Sequence, residues 1–205
     1  MRSPHSPATT ERSRRRPSSA RRQILDAAET LLLERGVEGV SIRNVSEGCG
    51  FSAPTIYHHF GDKTGLIDAL LEEHFRLVLD VMNAIPRGPD AALYLREMAC
   101  AFVRFSLQNP DYYRLLSTPR LEKADTIPSA EAARELVKHA LEELAREGTL
   151  ATPDVEAAFQ ATWAVLHGLI SLHLIHPDYE FAENLVELAF DMVEGGLLRK
   201  ERPSC

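Results

Sequence analysis

Apolar residues recur at helical spacing from the first regular segment of the chain onward. Between Ala20 and Gly36 they lie three and four residues apart, which places them on one face of a helix of about four turns. The residues on that face are Ile24, Ala27, Ala28, Leu31 and Leu32. No β-branched run alternates over the length of a strand, so the pattern predicts an all-α protein with about nine helices in total.

Two shorter apolar segments follow, each preceded by a serine. Ser41 is a suitable N-cap for a helix of about two turns, which the glycines at positions 48 and 50 would end. Ser52 would cap the next helix, with Pro54 in its first turn, where the missing N–H costs little. The residues facing inward would be Ile42, Val45, Ile56 and Phe60. The pattern therefore predicts two short helices around a tight turn.

The remainder of the chain consists of longer periodic segments separated by prolines and glycines. The predicted helices span about 63–85, 90–108, 111–117, 128–147, 153–175 and 179–198. No apolar run approaches the ~18 residues of a membrane span, so a membrane is not expected as a partner. We divide the chain into a disordered basic arm (1–19), a helix-turn-helix unit (20–66) and a larger helical domain (67–200).

Charge is distributed unevenly along the chain. Residues 1–22 contain seven arginines and a single acidic residue, Glu11, whereas the whole chain has a formal net charge of −7. A basic arm on an acidic body is common in proteins that meet nucleic acid through one end. The prolines and serines of residues 1–19 predict disorder there. The arm is therefore interpreted either as a DNA contact or as a solvated leader.

Composition and cysteine usage indicate the compartment. The chain has 44% hydrophobic and 26% charged residues, as in ordinary soluble globular proteins. Cys49, Cys100 and Cys205 show no CxxC spacing, and no apolar stretch follows the N-terminal arginines. These features predict a cytoplasmic protein without a disulfide framework. A redox role for Cys49 stays open beside its interpretation as a small turn residue.

The order of the first helices matches the helix-turn-helix plan, in which the second short helix enters the DNA major groove. Ser52 and Thr55 would supply short hydroxyl groups at the start of that helix. Tyr57 and His58 would lie on its exposed side, and Lys63 would stand at the N-terminus of the following helix, where a phosphate can bind. The unit therefore predicts a DNA-reading helix.

The stretch SIRNVSEGCGFSAPTIYHHFGDKTGLIDAL resembles the DNA-binding segment of the tetracycline-repressor (TetR) family. The elements in register are Ser41, Gly50-Phe51-Ser52, Tyr57-His58-His59-Phe60, Lys63 and Leu66, and with the first helix the resemblance covers residues 20–66. Ser46 replaces the usual alanine, Gly48 weakens the second helix, and Pro54 replaces the commoner glycine. The resemblance implies phosphate contacts from Ser41, Ser52, Tyr57, His58 and Lys63. It implies base-edge contacts from Arg43, Ala53 and Thr55.

Paired histidines also raise the question of a metal site. Adjacent residues of a helix point about 100° apart, so His58 and His59 cannot readily share one ion. His173 and His176 have a chelating spacing, but no carboxylate or cysteine supports them in that helix. We therefore predict no metal and no cofactor.

The C-terminal part is acidic and carries a second local resemblance. Residues 67–205 hold 13 basic and 23 acidic residues, which argues against a DNA contact. WAVLHGLISL, from Trp163 to Leu172, resembles the Trp-x-x-x-His-Gly (WHG) element of one TetR subgroup, and NPDYYRLL resembles a segment that accompanies it. The resemblance implies a helical domain for ligand binding and dimerisation.

Trp163 and His167 share a helix face, which is interpreted either as a core stripe or as one wall of a ligand cavity. The candidates for the opposite wall are Phe102, Phe105, Tyr112 and Tyr113. Such a cavity would suit a hydrophobic or aromatic effector.

Small and apolar residues line one face of each of the last two predicted helices. They are Ala157, Ala161, Ala164, Val165, Gly168 and Leu172 on one helix, and Leu185, Leu188, Ala189 and Met192 on the other. Pattern and resemblance together imply a homodimer through a four-helix interface. Two recognition helices in such a dimer could read a palindromic operator in double-stranded DNA.

These observations predict a ligand-responsive, sequence-specific DNA-binding transcription regulator, and we favour a repressor that its effector releases from the operator. Effector binding would shift the helix at 63–85 and change the spacing of the two recognition helices. The alternatives are a non-specific architectural DNA-binding protein and, with less support, a histidine-dependent hydrolase. The chain has no Gly-x-Ser-x-Gly, HExxH or phosphate-loop motif, so an enzyme is not predicted.

Overall fold

The computed structural model describes residues 19–116 and 127–198, and these residues form nine helices and no strand. The helices are α1 (Ala20–Gly39), α2 (Ile42–Cys49), α3 (Ala53–Phe60), α4 (Lys63–Asn83), α5 (Ala91–Gln108), α6 (Pro110–Leu116), α7 (Pro128–Arg146), α8 (Val155–Ile175) and α9 (Leu185–Leu197). The predicted all-α fold with about nine helices is confirmed. Of the basic arm predicted over residues 1–19, residues 1–18 lie outside the described part of the chain, and Ser19 is the N-cap of α1.

Side-chain caps begin most of the long helices. Ser19 accepts from the Arg22 backbone N–H at the start of α1, and Ser41 accepts from that of Asn44 at the start of α2. Aspartates do the same for α4, α5 and α8, where they are Asp62, Asp90 and Asp154. Each cap satisfies N–H groups that have no partner within the helix.

Two predicted boundaries differ from the structure. The first helix does not end at Gly36 but kinks there, with a φ of 66°, and continues to Gly39. The last helix begins at Leu185, not at residue 179. The rings of Tyr179 and Phe181 pack together 4.8 Å apart, and Phe181 stacks on His173 of α8 at 4.4 Å. The chain therefore folds back over the end of α8 before α9 begins.

Helix α8 corrects the expectation about membrane spans. Its 21 residues are long and apolar enough to cross a membrane by length and composition, with a mean hydropathy of 1.3 over 18 residues. The core helix of a soluble protein can pass the same test. Only 28% of that window is buried within the described chain, so much of the apolar surface of α8 remains exposed.

The apolar core has a part around the helix-turn-helix unit and parts within the larger domain. The first is built on residues of α1, α2, α3 and α4, and it also takes in Tyr112, Leu115 and Ile127. Leu66, Leu70 and Leu71 place the first half of α4 in this cluster, whereas Val78 and Met82 place the second half in the core formed with α5, α7 and α8. Helix α4 thus belongs to both units and crosses the predicted boundary at residue 66 without interruption.

Adjacent leucines of α1 allow a matched test of this core. Leu32 is 0% exposed and Leu33 is 57% exposed, and alanine in place of either changes helix propensity equally. We expect Leu32→Ala to lower the free energy of unfolding by about 2–5 kcal/mol through transfer and cavity terms. Leu33→Ala should change it by no more than about 0.5 kcal/mol. Chemical denaturation at one fixed protein concentration measures both, and equal losses would contradict the assignment of the α1 face.

Candidate nucleic-acid interface and ligand cavity

The turn between α2 and α3 is held by backbone and side-chain hydrogen bonds. Gly50 adopts a φ of 75°, which favours glycine, and its N–H donates to the Ser46 carbonyl at 3.0 Å. The Ser46 hydroxyl donates to the Phe51 carbonyl at 2.6 Å. The serine that departs from the usual family pattern therefore fastens the turn, a role that alanine could not take.

Helix α3 is seated by its two inward-facing residues. Ile56 and Phe60 are buried, as the spacing predicts, and the Arg21 guanidinium lies 5.2 Å from the centre of the Phe60 ring. Tyr57 and His58 lie on the opposite, exposed side of the helix. Burial of one face leaves the other free to enter a groove.

The predicted DNA-contacting residues divide by exposure. Arg43, Ser52, Tyr57, His58 and Lys63 are exposed. The half-buried members are Ser41, Ala53 and Thr55. The Ser41 side chain accepts a backbone hydrogen bond as the N-cap of α2. Ser52 occupies the N-cap position of α3, but its side chain makes no hydrogen bond to the backbone of that helix.

Three of these side chains are held by neighbours on their own segment. The hydroxyl groups of Ser52 and Thr55 lie 3.0 Å apart and form a hydrogen bond with each other. The guanidinium of Arg43 pairs with the Glu47 carboxylate at 3.0 Å, and both groups are largely exposed. An exposed pair of this kind contributes little stability and can open when a phosphate or base edge competes for the guanidinium.

A cavity of about 520 Å³ lies between α4, α5, α7 and α8. Of the predicted ligand-binding residues, Phe102, Trp163 and His167 line it. Phe75, Val78 and Met82 of α4 also line it, spaced three and four residues apart on one face. This helical spacing was the feature of the sequence that could have identified these three residues. Spacing alone does not show which element or cavity a helix face lies against. The polar groups Glu131 and Arg134 of α7 were likewise missed by the sequence analysis.

The other three predicted wall residues do not line the cavity. Helix α6 directs Tyr112 towards α1 and α4, where its ring stacks on His74 with centres 4.5 Å apart and its hydroxyl donates to Glu29. Phe105 packs against the same His74 ring at 5.1 Å. Tyr113 faces α8 and contacts His167 through hydrogen bonds. These three residues therefore do not form the predicted cavity wall. Phe105 of α5 packs against His74, and Tyr112 and Tyr113 face different neighbours because they are adjacent in a short helix.

Burial changes the titration of the groups around the cavity and beside α4. It lowers the pKa of His167 and, still more, that of His74, to about 4. It also raises the pKa of Tyr113, and it raises that of Tyr112 together with the hydrogen bond to Glu29. Each shift favours the neutral form, so the aromatic and imidazole groups around α6 are uncharged near neutral pH.

Ionic contacts tie α1 to α4 next to this cluster. Both carboxylate oxygens of Glu73 accept from Nη1 of Arg22, at 2.7 and 2.6 Å. Nε of Arg22 also lies 2.6 Å from Asp26. Glu73 immediately precedes His74, so the same turn of α4 contacts α1 by charge and α6 by ring stacking. This turn is the junction between the helix-turn-helix unit and the cavity-bearing domain.

Comparison with known families assigns both parts of the chain. Residues 24–70 match bacterial regulatory proteins of the tetR family, and residues 95–193 match a tetracyclin repressor-like C-terminal domain. The chain belongs to the TetR family. Family membership is thus confirmed for both the N-terminal and the C-terminal part of the chain. The two matched ranges fall on the helix-turn-helix unit and on cavity-bearing helices of the larger domain.

Curated relatives within the family include named repressors. The chain is 33% identical over 111 residues to the class C tetracycline repressor protein of Escherichia coli, a match that covers 51% of this chain and 50% of that protein. It is 37% identical over 68 residues to the transcriptional repressor AcnR of Corynebacterium glutamicum, covering 33% of this chain and 36% of that protein. The matches span half or less of the length of these relatives.

Solved structures share the fold over nearly the whole chain. A Rhodococcus sp. RHA1 protein of unknown function superposes with a TM-score of 0.75 at 23% identity, covering 93% of this chain and 100% of that one. A putative tetR-family regulator from Shewanella sp. PV-4 gives 0.70 at 15% identity, covering 89% and 100%. RolR in complex with its ligand resorcinol gives 0.63 at 20% identity, covering 87% of each chain. These likenesses show the fold.

The buried imidazole of His74 predicts how the stability of this TetR-family chain depends on pH. Because its pKa is about 4 when folded and about 6.5 when unfolded, the unfolded chain binds the extra proton between these values. His74 therefore contributes stability above pH 6.5 that is lost as the pH falls towards 4, by roughly 3 kcal/mol.

Replacement of His74 by phenylalanine should remove this contribution while keeping a ring beside Tyr112. We expect His74→Phe to flatten the decline of unfolding free energy between pH 6.5 and 4, measured by urea denaturation at fixed protein concentration. The exposed His176 that follows α8 offers a control, since His176→Gln should leave the wild-type profile unchanged. Parallel profiles for wild type and His74→Phe would show that His74 is not the titrating group.

Proposed function

We propose that this protein is a ligand-responsive, sequence-specific DNA-binding regulator that represses transcription from a palindromic operator in the cytoplasm. The observation that carries the proposal is the position of α4. Its first half shares a core with the recognition helix α3, and its second half lines the 520 Å³ cavity. A ligand in the cavity thus contacts the same helix that seats the DNA reader.

The exposed face of α3 supports DNA reading by this helix. Tyr57, His58 and Lys63 lie on the outside of the unit, where phosphates of the backbone would pass. Ser41 and Ser52, at the N-termini of α2 and α3, are proposed to complete the phosphate contacts. Arg43, Ala53 and Thr55 are proposed to lie nearest the base edges, which requires Arg43 to leave Glu47.

The cavity supports regulation by a small molecule. Its walls are largely apolar and aromatic, with a few polar groups, which is the usual character of a ligand site. RolR, which shares this fold, binds the small aromatic compound resorcinol. We propose that an effector moves α4 by its contacts with Phe75, Val78 and Met82. Release then depends on a higher affinity of the effector for the altered recognition-helix spacing.

Exposed apolar faces on α8 and α9 support a homodimer. On α8 the exposed members of the predicted stripe are Ala157, Ala161, Ala164, Gly168 and Leu172. On α9 Leu188 and Met192 are exposed. Pairing of these faces with those of a second copy would bury the apolar surface that makes α8 resemble a membrane span. It would also present two copies of α3 to a palindrome.

Selection of bound sequences from a random DNA duplex pool tests the proposed function directly. At near-physiological salt, purified full-length protein should recover a palindrome whose half-sites lie about one helical turn apart. An architectural DNA-binding protein would instead retain DNA without enriching a sequence. Recovery of no enriched sequence by the effector-free protein, or of an asymmetric single site, would contradict a dimeric repressor.

Lys63 tests the placement of the phosphate contacts. We expect Lys63→Ala to weaken operator binding about tenfold and to reduce the salt dependence by about two counterions per dimer, since each protomer loses one phosphate contact. Fluorescence anisotropy over a salt series measures both quantities. Arg104→Ala removes the same charge from an exposed position of α5 and should leave both unchanged. Similar losses in the two variants would point to net charge alone and not to a contact.

Met192 tests the proposed dimer interface. Its side chain is 71% exposed on α9, so Met192→Glu should not disturb the fold of one protomer. In the dimer the carboxylate would be buried without a partner, and we expect dissociation to rise at least about a hundredfold. Leu93→Glu, at a position of α5 that is 53% exposed, is the matched control. Light scattering over a dilution series should show half the mass for Met192→Glu alone, and an unchanged mass would place the interface elsewhere.

A further inference from the structure

His167 is the cavity residue whose orientation is fixed by a defined set of hydrogen bonds. Its Nδ1 atom lies 2.9 Å from the hydroxyl of Tyr113, which itself does not line the cavity. The same hydroxyl donates to the His167 backbone carbonyl at 3.1 Å and lies 3.1 Å from the hydroxyl of Ser171. The Nδ1 edge of the ring is therefore turned away from the cavity, and the Nε2 edge is the one available to a ligand.

These contacts also select the tautomer of the imidazole. Tyr113 has one hydroxyl proton, and a carbonyl oxygen can only accept. The arrangement that makes all three hydrogen bonds places the Tyr113 proton on the His167 carbonyl, with Nδ1–H and the Ser171 hydroxyl both donating to the tyrosine oxygen. Nε2 then carries a lone pair and acts as an acceptor. Burial lowers the pKa of His167, which keeps this ring neutral.

The surroundings of the His167 imidazole are aromatic. The Phe102 ring lies 5.6 Å from the imidazole, and the Trp163 ring lies 5.2 Å away at an interplanar angle of 87°. Phe159 stacks on Trp163 at 6.3 Å. Nε2 has no hydrogen-bond partner among the described residues. A flat ring held between these side chains could bring a donor group to it.

The other polar groups of the cavity are already paired. Arg134 and Glu131 on α7 form a salt bridge of 3.2 Å with each other, and their side chains are 43% and 40% exposed, so these charges remain partly hydrated. The Thr162 hydroxyl donates to the Ala158 carbonyl at 2.9 Å. A charged ligand would lose part of its hydration and would have to separate this pair to gain a counter-charge, whereas a neutral ligand would meet neither cost.

We infer that the ligand of this cavity is a neutral ring compound that donates one hydrogen bond, from a hydroxyl group, to Nε2 of His167. This inference rests on the proposed function in so far as it names the ligand class of the same site. It specifies the polarity of the contact: a molecule that can only accept a hydrogen bond meets the lone pair of Nε2 and gains nothing there.

A pair of probes that differ only at the oxygen tests this polarity. 4-tert-Butylphenol donates a hydrogen bond, whereas its methyl ether, 4-tert-butylanisole, cannot. Trp163 is the only tryptophan of the chain and lines the cavity, so quenching of intrinsic fluorescence reports entry of either probe. We expect wild-type protein to bind the phenol about tenfold more tightly than the ether, the value of one buried hydrogen bond. Equal affinities, or no quenching by the phenol up to its solubility, would overturn the inference.

Variants at position 167 separate the hydrogen bond from packing. In His167→Phe the ring remains but the hydrogen-bond acceptor is lost. The phenol and the ether should therefore bind this variant with about equal affinity, and the affinity for the ether should be that of the wild type. His167→Gln keeps an acceptor and should retain part of the preference. Persistence of the full preference in a folded His167→Phe would overturn the inference, and a thermal melt of each variant shows which are folded.

Nitrogen NMR of the histidines in the wild-type protein provides a test that needs no variant. We expect one imidazole with a protonated Nδ1 and an unprotonated Nε2, and the phenol should shift that Nε2 signal whereas the ether should not. A protonated Nε2 would overturn the inference. These measurements contain no DNA, so a phenol that binds as expected but leaves operator affinity unchanged would contradict the proposed release mechanism alone.

Discussion

The structure depends on the shared burial of α4 in two apolar cores. Leu66, Leu70 and Leu71 fix its first half against α1 and α3, and Val78 and Met82 fix its second half against α5 and α7. A helix is stiff over these 21 residues because every interior backbone group is bonded within it. A displacement of the cavity end must therefore appear at the recognition helix as a rotation or translation of α4, unless one of the two cores yields first.

The contacts around Glu73 and His74 connect α1, α4 and α6 at the point where the two cores meet. Arg22 links α1 to Glu73, and Tyr112 links α6 to Glu29 of α1 while it stacks on His74. The cavity wall includes Leu116 at the end of α6 and Ile127 just before α7. A ligand that displaces the end of α6 would thus act on α1 through Tyr112 at the same time as it acts on α4. The stacking of Tyr112 on His74 joins two neutral rings, so it does not weaken with salt as the Arg22–Glu73 pair does.

The comparison of sequence and structure shows where periodicity is sufficient. The spacing of Ile24, Leu31 and Leu32 predicts the buried face of α1, and that of Ile56 and Phe60 predicts the buried face of α3. The prediction works because an amphipathic helix in a small unit has only one core against which to pack its apolar face. The same reasoning placed Trp163 and His167 on one face of α8, and both residues line the cavity. It could not assign Tyr112 and Tyr113, since a seven-residue helix between three others has apolar neighbours on several sides. The start of α9 was missed because ring packing of Phe181 on His173, a tertiary contact, overrides the local pattern.

Helix α8 shows why the cavity and the proposed dimer interface are linked. Phe159, Trp163 and His167 occupy one flank of it, and Ala161, Ala164 and Gly168 occupy a face more than a quarter-turn away. In the proposed dimer the small-residue face would be held against its copy, so α8 could not follow a ligand that presses on its other flank. The movement would then fall on the other walls, which include α4. In the proposed mechanism, a fixed α8 and a displaced α4 would together turn occupancy of the cavity into a change in the distance between two recognition helices.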